Sequence, residues 1–167
     1  LNLATEIIGT FDFVDMIFHT MLSRRPSPQE KAMVNALLVT TADHGVTPSS
    51  LAARLTYIGA PEALQGAVAT GLLGAGSVFL GTMQNAAEML RDAARPLAAD
   101  ADDAAIRDAV RDLIRRHKAE RRAIYGVGHP IHVDGDPRVP ALRAVSRANG
   151  FFGVHWRMMD MVAEVLA

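Results

Sequence analysis

The chain has 167 residues, of which 50% are hydrophobic and 21% charged. A domain of that size buries about 70% of its unfolded surface, so collagen-like, disordered and low-complexity classes are excluded and no staple is needed. Seventeen Lys and Arg stand against 18 Asp and Glu, and a net charge of −1 offers no field to gather nucleic acid or an anionic membrane.

Cysteine is absent, which removes disulfides, thiol nucleophiles and Cys-type metal sites and suits a cytoplasmic protein. No basic and apolar leader opens the chain, and the first residue is Leu1 rather than Met. The sequence is therefore expected to be a portion of a longer protein.

The apolar spacing predicts a short first helix with Phe13, Met16, Ile17 and Met21 on one face, ending before Ser23. Ser27-Pro28-Gln29-Glu30 reads as a capping box with proline at the first helical position, opening a helix to about Asp43. Gly45 stops it, Thr47-Pro48 opens the next, and Ala60-Pro61-Glu62 opens another.

From Ala63 to Ala87 no residue is charged. The run is long enough to span a membrane, but the glycines at 74 and 76 predict a break. A buried helix pair, with Ser77 capping the second half, is the expected form. Helices without a polar face need a large core or a second subunit around them, so a homodimer or higher homo-oligomer is expected.

From Asp102 to about Arg122, Ile106, Val110, Leu113 and Ile114 form one apolar stripe, with Arg107, Arg111, Arg115 and Lys118 outside. His117, among basic neighbours, is placed on the exposed face, and His19, His117 and His155 are all read as structural. A glycine- and proline-rich loop follows over residues 125–138. Pro137 then starts a helix, and a last helix runs from about Phe152. Only Ile131-His132-Val133 approaches a strand pattern, so the fold class is all-α.

Two places combine polar groups with helix ends. In Thr41-Ala42-Asp43-His44-Gly45, His44 either satisfies the orphan carbonyls of a helix C-terminus or serves a site. In Gly126-Val127-Gly128-His129, glycines let a ligand reach backbone N–H groups, His129 can exchange a proton near neutrality, and Arg138 can clamp a carboxylate. The plainer reading of this second segment is a surface turn with Asp136 capping the next helix. His129, His132, Asp134 and Asp136 crowd together, but the intervening Gly and Pro forbid a regular helical ligand pair, and no metal is expected.

Taken together and in this order, Thr-Ala-Asp-His-Gly at 41–45, the small-residue helices through Gly81, and Gly-x-Gly-His followed by Asp-Pro-Arg at 136–138 resemble the citrate synthase superfamily. The resemblance implies a multi-helical domain, with residues 1–124 part of the large helical domain and 125–167 the substrate loop and start of the small one. It further implies that His44 and His129 contact the oxaloacetate or citrate part of the ligand, that both are catalytic, and that Arg138 binds a carboxylate. Gly126 and Gly128 become candidates for backbone contacts to coenzyme A, present as thioester substrate or product.

Citrate-forming members carry a histidine at the break between the two small-residue helices, where alignment places Phe79. A phenylalanine there resembles the citryl-CoA lyase branch, including the lyase module of ATP-citrate lyase. The implied reaction is cleavage of citryl-CoA, or a close analogue, to acetyl-CoA and oxaloacetate by a reverse Claisen step. Condensation of the citrate synthase type and a non-catalytic thioester-binding homologue are the alternatives. The lyase module commonly continues Gly-His-Arg where this chain has Pro130, and the family's Asn-x-Asp segment has no counterpart within the 167 residues. The 167 residues alone are therefore expected not to turn over citryl-CoA.

Overall fold

In the computed structural model, the described residues are 1–42, 45–78, 80–129, 132–133 and 135–166. Among them the regular structure is helical, with no strand. The chain divides into two compact units: Leu1–Asp43 with Asp134–Phe152, and His44–Val133 with Gly153–Ala167.

The first unit contains a short π-helix, Leu3–Ile7, and helices α1 (Phe13–Leu22), α2 (Pro28–Thr41) and α7 (Arg138–Ala148). Helix α2 packs against both α1 and α7. Its start is the predicted capping box: Ser27 accepts from the Glu30 amide and Glu30 from the Ser27 amide. A second capping box, Asp12 with Asp15, opens α1.

The α1 face differs from the predicted one. Val14, Asp15 and Phe18 are buried, while Phe13 is 77% and Met21 75% exposed. An acidic residue lies on the inner face because its charge is matched there. Lys31 Nζ sits 2.7 Å from one Asp15 oxygen and Arg25 Nη2 3.2 Å from the other. The Lys31 bond, above all, lowers the Asp15 carboxyl to about 2. Arg24 forks onto Glu30 at 2.8 and 2.6 Å, and that bond holds Glu30 at about 2.

The second unit contains α3 (Pro48–Gly59), α4 (Leu64–Leu73), α5 (Gly81–Ala94), α6 (Asp103–Ala119) and α8 (Val154–Leu166), the last carrying the half-buried Trp156. Its core is the predicted α6 stripe: Ile106 and Val110 are fully buried, Leu113 and Ile114 nearly so. Met89, Leu90 and Ala93 of α5 and Met158, Met161 and Val162 of α8 complete the cluster. Asp102 caps α6 through the Ala105 amide. His117 continues the buried stripe at 4% exposure, not the outer face, because it stands one helical turn beyond Leu113 and Ile114.

The uncharged run is divided, as expected, with α4 ending at Leu73 and α5 starting at Gly81, but Ser77 does not cap its second half. Helix α5 begins at Gly81 after Leu80, with no side-chain cap, and α4 begins at Leu64, past the turn at Pro61. Helix α4 is also not buried within this chain: of its residues only Ala67 is, and Leu72 is 72% exposed. Its glycines serve close approach to α3. A Cβ on Gly71 would stand 3.2 Å from Ala53 Cβ, and one on Gly74 3.1 Å from Ser49 Cα. Among the described residues no helix is long and apolar enough to cross a membrane.

Candidate functional site

The glycine-rich loop leaves α6 through a tight reversal. The Arg122 amide donates to the His117 carbonyl at 2.8 Å and the Arg121 amide to Lys118 at 3.3 Å, with Arg121 left-handed at φ 54°. This is the Schellman pattern, normally built on glycine. Ile124, Tyr125 and Val127 then pack against the core of the second unit.

The two candidate glycines have different surroundings. Gly126 is left-handed, φ 89°, and a Cβ there would stand 2.7 Å from Met159 Cε of α8. The left-handed backbone itself calls for glycine, and the tip of Met159 adds a contact that a flexible side chain can yield. Gly128 is also left-handed, φ 78°, but among the described residues nothing lies within 4 Å of where its Cβ would be. Among the described residues, the backbone at Gly128 is open on that side.

His129 is exposed, and its Nδ1 accepts from the His132 amide at 3.1 Å. An accepting Nδ1 in a neutral ring leaves the proton on Nε2. The rings of His129 and His132 lie 4.7 Å apart, tilted by 35°. The sequence singles out His132 only as a metal candidate; its spacing of three from His129 is the signal for this pairing. Among the described residues no three metal-ligating side chains converge.

In the first unit, Arg138 opens α7, one residue after the predicted Pro137. Asp136 Oδ1 accepts from both the Arg138 amide and its Nε, each at 2.9 Å, and Oδ2 accepts from Nη2 at 2.5 Å. The carboxylate thus does cap-like work and also orients the guanidinium, whose affinity for its proton it raises. Nη1 and the outer hydrogen of Nη2 take no part in this fork. His44, Phe79 and Asp134 lie outside the described residues. His129 belongs to the second unit and Arg138 to the first.

Residues 7–165 match the family "Citrate synthase, C-terminal domain", and the chain belongs to that family. It is also similar to the solved structure of citryl-CoA lyase from Hydrogenobacter thermophilus, with a TM-score of 0.79 and 28% identity. That match covers 96% of this chain and 59% of the lyase, so the chain spans less than two thirds of its relative. No curated protein sequence matches the chain.

Proposed function

We propose that the chain forms the greater part of the catalytic region of a lyase that cleaves citryl-CoA, or a close analogue, to acetyl-CoA and oxaloacetate. The observation that carries this reading is His129, whose Nδ1 is engaged by the His132 amide so that Nε2 bears the proton. An Nε2–H donor suits the tertiary hydroxyl oxygen of the substrate, which becomes the ketone oxygen of oxaloacetate. In the reverse Claisen step a base other than the protonated Nε2 takes the hydroxyl proton as the C–C bond breaks, while Nε2–H holds the oxygen that becomes the ketone. The electron pair goes to the thioester carbon as an enolate, and one proton returns there to give the methyl group of acetyl-CoA.

Arg138 is suited to one substrate carboxylate through its Nη1 side, with Asp136 holding the other edge. A charge-assisted bond of that kind contributes about 1.5–3 kcal/mol. His44 is assigned an adjacent carboxylate on the strength of the motif alone. Gly128 is the better of the two candidates for a backbone contact to the coenzyme. Residues 1–124 and 125–167 correspond on this reading to parts of the large and small domains.

In the full-length protein His129→Ala should lower citryl-CoA cleavage about 100-fold or more while the fold is kept. Oxaloacetate release at the parental rate would overturn the mechanism. The favoured oligomer is a homodimer, supported by the exposed apolar residues of α3 and α4: Leu55 at 68%, Ile58 at 76% and Leu73 at 84%. A monodisperse monomer in sedimentation at micromolar concentration contradicts it.

A further inference from the structure

We infer that His117, which touches no proposed substrate group, is the positioning residue of the loop that carries His129; the inference rests on the lyase reading for its kinetic arm only. His117 is a titratable side chain 4% exposed in the core of the second unit, twelve residues before the loop histidine. It holds the departing chain twice. Its carbonyl accepts from the Arg122 amide at 2.8 Å, and its Nδ1 lies 2.8 Å from the Ala123 carbonyl oxygen. A carbonyl can only accept, so Nδ1 carries the proton and donates.

These two bonds span the one position in the reversal that resists its conformation. Arg121 is left-handed without being glycine, an unfavourable state kept only where its neighbours over-determine it. The main-chain bond is common to any helix that ends this way. The side-chain bond is specific to a residue with a donor at the position of imidazole Nδ1. Beyond it the chain is fixed again by Ile124 and Tyr125 against the core and by Gly126 on Met159. The route from α6 to His129 is thus a series of anchors, and His117 supplies the first.

The other edge of the ring makes no bond to the described residues. His117 lines a polar cavity of about 220 Å³ together with Glu88, Asp92 and Tyr125. Shortening the side chain on that edge therefore disturbs none of those residues' bonds, which makes asparagine a fair substitute. Its Nδ2 reaches the place of Nδ1, whereas the longer amide of glutamine does not. Leucine fills the space and donates nothing.

The experiment compares the parent with His117→Asn, His117→Gln and His117→Leu in the full-length chain, reading amide exchange by mass spectrometry and citryl-CoA cleavage by coupled oxaloacetate release. In His117→Leu, the amides of Arg121 and Arg122, which close the reversal, should exchange roughly tenfold faster or more, while those of residues 106–114 keep their protection. Its kcat should fall about 100-fold with KM within a few-fold, because a displaced donor loses an interaction made in the transition state. His117→Asn should restore both readouts to near the parental values, and His117→Gln should behave as His117→Leu. If the leucine variant fails to fold, the asparagine and glutamine pair decides alone. Unchanged exchange at Arg121 and Arg122, faster exchange with unchanged kcat, or an asparagine variant no better than glutamine each overturns the inference. If the parent does not cleave citryl-CoA, the lyase reading falls, and the exchange pattern still decides whether His117 anchors the loop.

Discussion

In the second unit ten buried apolar side chains from α5, α6 and α8 form one cluster, whereas in the first unit Val14 and Phe18 are the buried apolar residues among those described, with the ion-paired Asp15 beside them. Burial of a Leu, Ile, Val or Met side chain stabilises by about 1.5–3 kcal/mol and is indifferent to protonation. An ion-pair network depends on every member keeping its charge. The α6 end of the chain is therefore built to hold a loop still, and the α1–α2 end to respond to its medium.

The largest test of this contrast is Ile106→Ala. The side chain is fully buried at the centre of the cluster, so its truncation should destabilise the second unit by about 2–5 kcal/mol, read from urea unfolding followed by exchange of the α6 amides. A loss below about 1 kcal/mol would mean that α5 and α8 close over the space.

Gly126→Ala comes next. It forces a side chain into a left-handed position and against Met159, for a cost of about 1–3 kcal/mol. Adding Met159→Ala should relieve the contact but not the backbone strain, whereas Gly128→Ala meets the strain alone. If Gly126→Ala and Gly128→Ala cost the same, the contact with Met159 contributes nothing.

The smallest effect near neutrality, and one confined to acid, belongs to the first unit. Asp15 and Glu30 fall from ordinary values of 3.8 and 4.5 to about 2 in the fold. The folded unit binds fewer protons than the unfolded chain in that window, so their contribution is complete above pH 4.5 and is lost as the pH falls towards 2. Exchange of α1 and α2 amides should quicken over that range while α6 amides hold, and Asp15→Asn should flatten the dependence. Equal acid sensitivity in both units would erase the distinction.

These differences track what the sequence makes legible. The α6 stripe and the Ser27 and Thr47 caps follow from local periodicity and turn chemistry, and the structure agrees with them, whereas α2 ends at Thr41, short of the expected Asp43. The α1 face is misplaced by sequence because counting apolar residues favours Phe13 and Met21, while the inner face is decided by a distant Lys31 that neutralises Asp15. His117 is misplaced for the opposite reason: its basic neighbours outweigh its register with Ile106, Val110 and Leu113, which is visible in the spacing. At the candidate site, the motifs identify His129, Gly128 and Arg138. The Asp136 fork is legible only as a cap, and the tautomer of His129 depends on which ring nitrogen the His132 amide meets, which spacing alone does not encode.

Trp156 of α8 has a consequence for how the molecule can be watched. It is the single tryptophan, and Tyr57 and Tyr125, the two tyrosines, also lie in the second unit. The first unit has phenylalanine as its aromatic residues and is nearly dark in near-ultraviolet absorbance and emission. The tryptophan and tyrosine reporters of a fluorescence melt therefore all belong to one unit, and unfolding of α1, α2 and α7 needs a probe of its own.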